Sequence, residues 1–228
     1  MGRLVLDGNP PVEIVLRRSA RARRMSLRVS QLDGRVTLTV PRFVGERKAL
    51  GFAREREGWL RDHLGGLSKA RRVAIGGTVP FEGREVPLVA GRGRGVRLRD
   101  GALEVPPDRT GPQLEAFLKA AARDRLAAAS DRYAALLGRS YGKITLRDTR
   151  SRWGSCSSKG DLMFSWRLIM GPAEVLDYVA AHEVAHLEQM NHSPAFWAVV
   201  ARLFPDHRRC RDWLAENGPG LHRIRFRD

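Results

Sequence analysis

His182 and His186 stand four residues apart with Glu183 directly after the first, and His192 follows six residues further on, in the stretch Ala181-His182-Glu183-Val184-Ala185-His186-Leu187-Glu188-Gln189-Met190-Asn191-His192. On a helix, two imidazoles four apart share one face a turn apart, where they can hold a single zinc ion. Neutral imidazoles leave the charge of the cation uncancelled, so a water beside it becomes acidic. Glu183, on the same wall, can accept that water's proton and pass it to a leaving group. The pattern therefore implies zinc-dependent hydrolysis with Glu183 as general base.

A catalytic zinc site needs a third protein ligand, and His192 is the nearest candidate. A straight helix would rotate His192 about 120° from His186 and carry it about 9 Å along the axis, so the helix has to end first. Asn191 can adopt the left-handed conformation of a helix stop, Ser193 can cap a new helix, and Pro194 suits its first position. The HExxHxxxxxH spacing equals that of metzincins, but Gln189 stands where their motif has glycine, which argues against that clan. Val175, Val179, Ala185 and Leu187 place the histidines on a helix with an apolar frame, as a buried active-site helix requires.

Composition sets wider bounds. The chain has 228 residues, enough for one large domain or two small ones, and 43% of them are hydrophobic. No apolar run is long enough for a membrane span, and Met1 to Asp7 lacks the apolar core of a signal peptide, so a cytoplasmic protein with no membrane partner is expected. Cys156 and Cys210 are too few for a disulfide framework and are read as reduced thiols. The net charge of +16 would draw the chain toward polyanions, although an arginine-rich composition raises charge without any partner.

The elements that must position the site follow from periodicity. Val12 to Leu16, Met25 to Val29 and Arg35 to Val40 read as strands, the last two joined by a hairpin turn at Asp33-Gly34. Val44 to Leu64 reads as one amphipathic helix, and Gly65-Gly66 as the start of a linker. Val79 to Val89 forms a hairpin, and Val96 to Leu98 forms another with Leu103 to Val105 across Asp100-Gly101. Gly111 to Leu137 carries one long helical pattern. Lys143 to Leu146 and Asp161 to Trp166 are strands, with a turn at Ser158-Lys159-Gly160, and the histidine helix begins near Pro172. Phe196, Trp197, Val200, Leu203 and Phe204 read as core packing over it. His63, His207 and His222 lie outside the cluster. The expected fold class is α+β: a small antiparallel β-rich region with a helix over 1–108, then a minimal hydrolase core over 109–228 comprising a short sheet, the HExxH helix and C-terminal helices.

Arg152-Trp153-Gly154-Ser155-Cys156-Ser157 is the second unusual stretch. It sets a guanidinium, a flat ring, a glycine and small polar side chains ahead of the strand that leads to the histidine helix. Such a segment can donate to an oxyanion or to a substrate main chain, or it can be a turn with a buried Trp anchor.

Arg152-Trp153-Gly154-Ser155-Cys156, Trp166-Arg167-Leu168, Asp177-Tyr178-Val179, His182 to Leu187 and Asn191 to Trp197 together resemble the YgjP-like metal-dependent hydrolases, grouped with the WLM and SprT-like zincin metallopeptidases. The resemblance implies a minimal zincin core, zinc or another divalent ion on His182, His186 and His192, and Glu183 as catalytic acid and base. It also implies a cleft lined by the Arg-Trp-Gly-Ser-Cys stretch, with Arg152, Trp153, Ser155, Ser157 and Arg167 as substrate-binding candidates.

Three functions compete. The leading one is a zinc metallopeptidase whose extended peptide substrate pairs with the strand near Phe164. The first alternative is a nucleoside triphosphate (UTP) pyrophosphatase, an activity associated with a relative of the resembled family, with Arg150, Arg152 and Arg167 clamping the phosphates. The second is a nucleic-acid-associated SprT-like protease gripping phosphates through Arg17, Arg18, Arg21, Arg23 and Arg24.

Overall fold

The computed structural model describes residues 2–30, 34–65 and 71–227. Its contacts divide the chain into two compact units, residues 1–69 and 70–228. The division falls earlier than the expected 108/109 boundary. Leu103 and Val105 are buried in the same core as Leu114 and Leu118, so the strands before residue 108 belong with the long helix that follows.

In the first unit, strands β1 (Gly2–Leu6), β2 (Val12–Ser19), β3 (Ser26–Val29) and β4 (Val36–Pro41) form one sheet in the order β1-β2-β4-β3. β2 and β4 run parallel, while the outer pairs are antiparallel. Alternation decides the faces: Val12, Ile14 and Leu16 point inward between exposed or half-buried neighbours. Helices α1 (Glu46–Arg54) and α2 (Glu57–Gly65) bury Ala49, Ala53 and Leu60 in this core. The single helix expected from Val44 to Leu64 is thus two. The backbone tightens at Arg56, whose N–H reaches Ala53 O at 3.1 Å, and the flanking Gly51 and Gly58 weaken helical propensity there. β1 was not legible in the sequence. Gly34 has φ +70°, as a hairpin turn requires; its expected partner Asp33 and the linker residue Gly66 lie outside the described residues.

In the second unit, β5 (Arg71–Arg72) precedes two hairpins, β6 (Thr78–Phe81) with β7 (Arg84–Ala90), and β8 (Arg97–Arg99) with β9 (Ala102–Val105). They join through a parallel β7–β9 pairing into one sheet of order β6-β7-β9-β8. The 28-residue helix α3 (Thr110–Leu137) buries Leu114, Leu118, Ala122, Leu126 and Tyr133, a continuous seam at helical spacing. Strands β10 (Ile144–Arg147), β11 (Gly154–Cys156) and β12 (Leu162–Ser165) form a second sheet in the order β10-β12-β11. A 3₁₀ turn at Trp166–Met170 leads to α4 (Ala173–Ala185), followed by α5 (Pro194–Leu203), α6 (His207–Leu221) and the short strand β13 (Ile224–Arg225), which pairs with β5. Mixed sheets beside six helices make an α+β fold among the described residues, as expected.

Two features matter for the site. Helix α4 is buried on nearly all sides, with Val175, Leu176, Val179, Ala180, Ala181 and Val184 inaccessible, so its few polar side chains can face only specific partners. And β12, which holds Phe164, is the centre of its sheet, while β11 is the edge. Among the described residues no helix is long and apolar enough to cross a membrane.

Candidate metal centre

Helix α4 ends at Ala185, and the next amides tighten onto earlier carbonyls, Leu187 N to Val184 O at 2.9 Å and Glu188 N to Ala185 O at 3.1 Å. The turn at Asn191 forms differently from the expected left-handed stop. Among described residues only Glu82 and Asp100 have positive φ without being glycine. Instead the Asn191 side-chain oxygen accepts from Ser193 N at 3.2 Å, and Ser193 Oγ accepts from Phe196 N at 3.4 Å, capping α5 with Pro194 in its first turn. This corner brings His192 back to the other two histidines. One potential ligand atom from each of His182, His186 and His192 lies within 4.8 Å of the others.

Phe196, fully buried, forms the floor beneath the three rings, with centroids 4.9, 4.4 and 4.8 Å from those of His182, His186 and His192. The His186 Nδ1–H donates to Gln189 O at 3.0 Å, which fixes its tautomer and leaves Nε2 as a lone-pair donor. His182 Nε2 and His192 Nε2 face each other at 3.1 Å. Burial, followed by the neighbouring His186 and His192, pushes His182 down to about 3, and burial lowers His186 as well. Burial thus favours the neutral, lone-pair-bearing form of His182 and His186, and with His192 they bring three ring nitrogens together as a bound divalent cation requires.

Glu183 lies beside them, only 5% exposed. Burial raises its carboxyl to about 8, against the opposing pull of the Arg152 guanidinium and of the Cys156 N–H that hydrogen-bonds to it. Among the described residues its Oε2 has no hydrogen-bond partner, so one oxygen is held and the other is not. Gly154 makes this placement possible, because a Cβ there would lie 2.5 Å from Glu183 Oε1 and 2.6 Å from its Cγ.

The centre opens into a cavity of about 740 Å³. Of the substrate-binding candidates, Arg152, Trp153 and Ser155 line it, together with Gly154 and Cys156. The stretch is not a loop ahead of a strand, however; Gly154–Cys156 is itself β11. Trp153 packs its ring against Gly218 of α6 and 5.0 Å from the His222 ring, tying β11 to that helix. Ser157 lies outside this cavity, where its Oγ accepts from the amides of Lys159 and Asp161 to make the turn into β12. Arg167 is also elsewhere. It is buried, paired with both oxygens of Asp148 at 2.6 and 2.9 Å, and donates to the carbonyls of Leu221 and Ile224. Its bidentate pair with Asp148 and its two bonds to the C-terminal segment hold it outside the cavity, where it does not clamp a substrate.

The far wall was not foreseen. Tyr178, Met190, Arg211, Leu214 and Ala215 complete the lining. Tyr178 had a signal, since it precedes His182 by one turn and therefore shares its face. Arg211, brought by α6 and stacked 5.5 Å from the Trp197 ring, had none.

A family model described as YgjP-like, metallopeptidase domain, matches residues 23–217. The chain belongs to the YgjP-like metallopeptidase family. Together with the trihistidine cluster, membership marks this YgjP-like chain as a metal-dependent hydrolase of the metallopeptidase kind. Among solved structures it is similar to the metallopeptidase zymogen of Pyrococcus abyssi abylysin, at 22% identity and a TM-score of 0.37, over 40% of this chain and 92% of that one. No curated protein matches.

Proposed function

We propose that this protein is a zinc metallopeptidase that cleaves extended polypeptide laid along the free edge of β11. The observation that carries the reading is the conjunction of three clustered imidazoles and a buried glutamate at the edge of a sheet. Borderline-soft imidazole donors in a three-histidine set favour zinc, with other divalent ions able to substitute. A cation held by His182, His186 and His192 supplies Lewis acidity, polarising a carbonyl and lowering the pKa of water.

The chain's own residues do the rest. Glu183 takes a proton from the attacking water and delivers it to the departing amine nitrogen, and the peptide C–N bond breaks as the new C–O bond forms. β11 positions the substrate. Trp153 O accepts from Ser165 N at 2.8 Å and Ser157 N donates to Asp161 O at 2.9 Å, so residues 153, 155 and 157 turn their backbone groups toward β12. Gly154 and Cys156 then face the opposite way, which the Cys156 N–H bond to Glu183 bears out. With the Cys156 N–H taken by Glu183, this edge offers the Gly154 N–H and the Gly154 and Cys156 carbonyls to an incoming strand. The peptide therefore pairs with β11 rather than with the strand of Phe164, which is covered on both edges.

The test is a quenched-fluorophore unfolded polypeptide incubated with wild type and Glu183→Gln, with metal content measured on both. We expect cleavage to fall by about 10²- to 10⁴-fold in the variant while bound zinc stays equal. Cleavage at the wild-type rate by Glu183→Gln would refute the assignment.

A further inference from the structure

The first unit carries a groove that takes no part in the metal centre. Its charged lining is wholly cationic, comprising Arg23, Arg24, Lys48 and Arg56 with no carboxylate. Residues 1–69 hold fifteen Lys and Arg against seven Asp and Glu, so the positive potential extends well around it. Between these cations stand aromatic rings.

Phe43 is 87% exposed on the turn after β4, yet that turn is fastened. Arg18 Nη1 donates to the carbonyls of Arg42 and Val44 on either side of it, and Val44 N donates to Pro41 O at 3.2 Å. Trp59, 42% exposed, rests against His63 at 4.2 Å between ring centroids and lines the groove as well. Phe52 lies beneath the Arg56 guanidinium, 3.8 Å from its ring centroid. A fixed phenylalanine almost wholly in water contributes little to the fold and presents a ready flat face.

We propose that this groove binds a single-stranded polynucleotide. Arg23, Arg24 and Lys48 beside the exposed rings of Phe43 and Trp59 are what an unpaired strand requires, with phosphates meeting the cations and bases stacking on the rings, while Arg56, paired with Glu55 at 3.3 Å, covers Phe52. An acidic polypeptide would use the charge and leave the rings idle. A duplex keeps its base faces stacked and could use only the charge as well. The site is independent of the hydrolytic reading, since no lining residue is shared with the metal cavity.

The experiment measures fluorescence anisotropy of labelled twelve-nucleotide oligothymidine and oligouridine with the full chain across salt concentrations. Binding of either strand is expected, with affinity falling linearly in log salt. Arg23→Gln with Arg24→Gln should flatten that slope by about 1.4, roughly 0.7 for each phosphate left without its cation. Phe43→Ala with Trp59→Ala should weaken binding by about 10-fold or more and leave the slope unchanged. Circular dichroism and melting temperature confirm that the surface variants fold. The proposal is overturned if neither strand binds at low salt, if duplex DNA or polyglutamate binds as tightly, or if the doubly ring-less variant binds like wild type.

Discussion

Gly154→Ala isolates the contact between the edge strand and Glu183. The added Cβ would sit 2.5 Å from Glu183 Oε1, 2.6 Å from Cγ and 2.8 Å from Cδ, all inside van der Waals distance. Side-chain rotation of Glu183 gives little relief, because the side chain is buried and its carboxylate is held by the Cys156 N–H on the same strand. Either β11 or Glu183 must move by roughly 1 Å, a displacement that costs about 10²-fold in rate when it separates a general base from its water. Overpacking of a buried site costs a further 1–3 kcal/mol of stability, which in a chain of this size lowers Tm by about 2–4 °C per kcal/mol. The three atoms nearest this Cβ all belong to Glu183, so metal content should remain at the wild-type level. Steady-state kinetics on the unfolded polypeptide, with melting curves and metal analysis on the same preparations, would show whether kcat drops while KM and zinc persist. An alanine variant with unchanged kcat and unchanged Tm would refute the idea that Gly154 is there to admit Glu183.

Two further expectations concern the groups around Arg167. Arg167→Met should lower stability by about 3 kcal/mol, because it strands Asp148 and frees the Leu221 and Ile224 carbonyls, and it should leave KM of the residual enzyme unchanged; a steep rise in KM with normal stability would return Arg167 to the cleft. His222 is buried and its pKa is pushed down to about 4, by burial first and then by Arg167, with Asp148 pulling the other way. The unfolded chain therefore binds a proton near pH 6.5 that the native chain refuses until about 4, so stability contributed by neutral His222 is present above pH 6.5 and lost as pH falls, by about 3 kcal/mol over that window. Urea titrations at pH 7 and pH 4.5 should show a weaker pH dependence in His222→Gln than in wild type, and identical slopes would contradict it.

The trihistidine cluster was legible because its spacing carries its own geometry. His182 and His186 need only a helix, and the Ser193-Pro194 cap marks where the chain turns to return His192. The long seam of α3 and the hairpins at Glu82-Gly83 and Asp100-Gly101 were legible for the same reason, since period and turn chemistry are local. What depends on distant packing was hidden. Nothing within Gly154-Ser155-Cys156 says that it lies on an edge, which follows only from β12 pairing with β10 on its other side. Arg167 in the sequence is a cation near a motif; only the fold shows Asp148, Leu221 and Ile224 converging on it. Arg211 reaches the cavity through the placement of a whole helix, and no periodicity announces that. Likewise β1 and β5 are too short or too weakly patterned to be seen without their partners.

The same packing bears on the choice between amide and phosphoanhydride substrates. A nucleoside triphosphate needs cations converging on several phosphates, and the withdrawal of Arg167 removes one of the three arginines on which that alternative relied. Of those three only Arg152 lines the cavity, joined there by Arg211, and two guanidiniums can recognise one phosphate group or the carboxylates of a peptide equally well. The outward edge of β11 is less neutral between them. It presents two carbonyl oxygens and the Gly154 N–H, the Cys156 N–H being held by Glu183, and ionised phosphate oxygens are acceptors only, so they would meet the Gly154 and Cys156 carbonyls unfavourably. A polypeptide strand brings both donor and acceptor in register with that edge. On this ground amide hydrolysis fits the site better, and the decisive comparison is competition: an extended peptide carrying no scissile preference should inhibit turnover when its backbone is intact, and lose most of that inhibition when the amide nitrogens facing β11 are methylated. Undiminished inhibition by the methylated peptide would mean that the edge is not read, and the case for a polypeptide substrate would lose its main support.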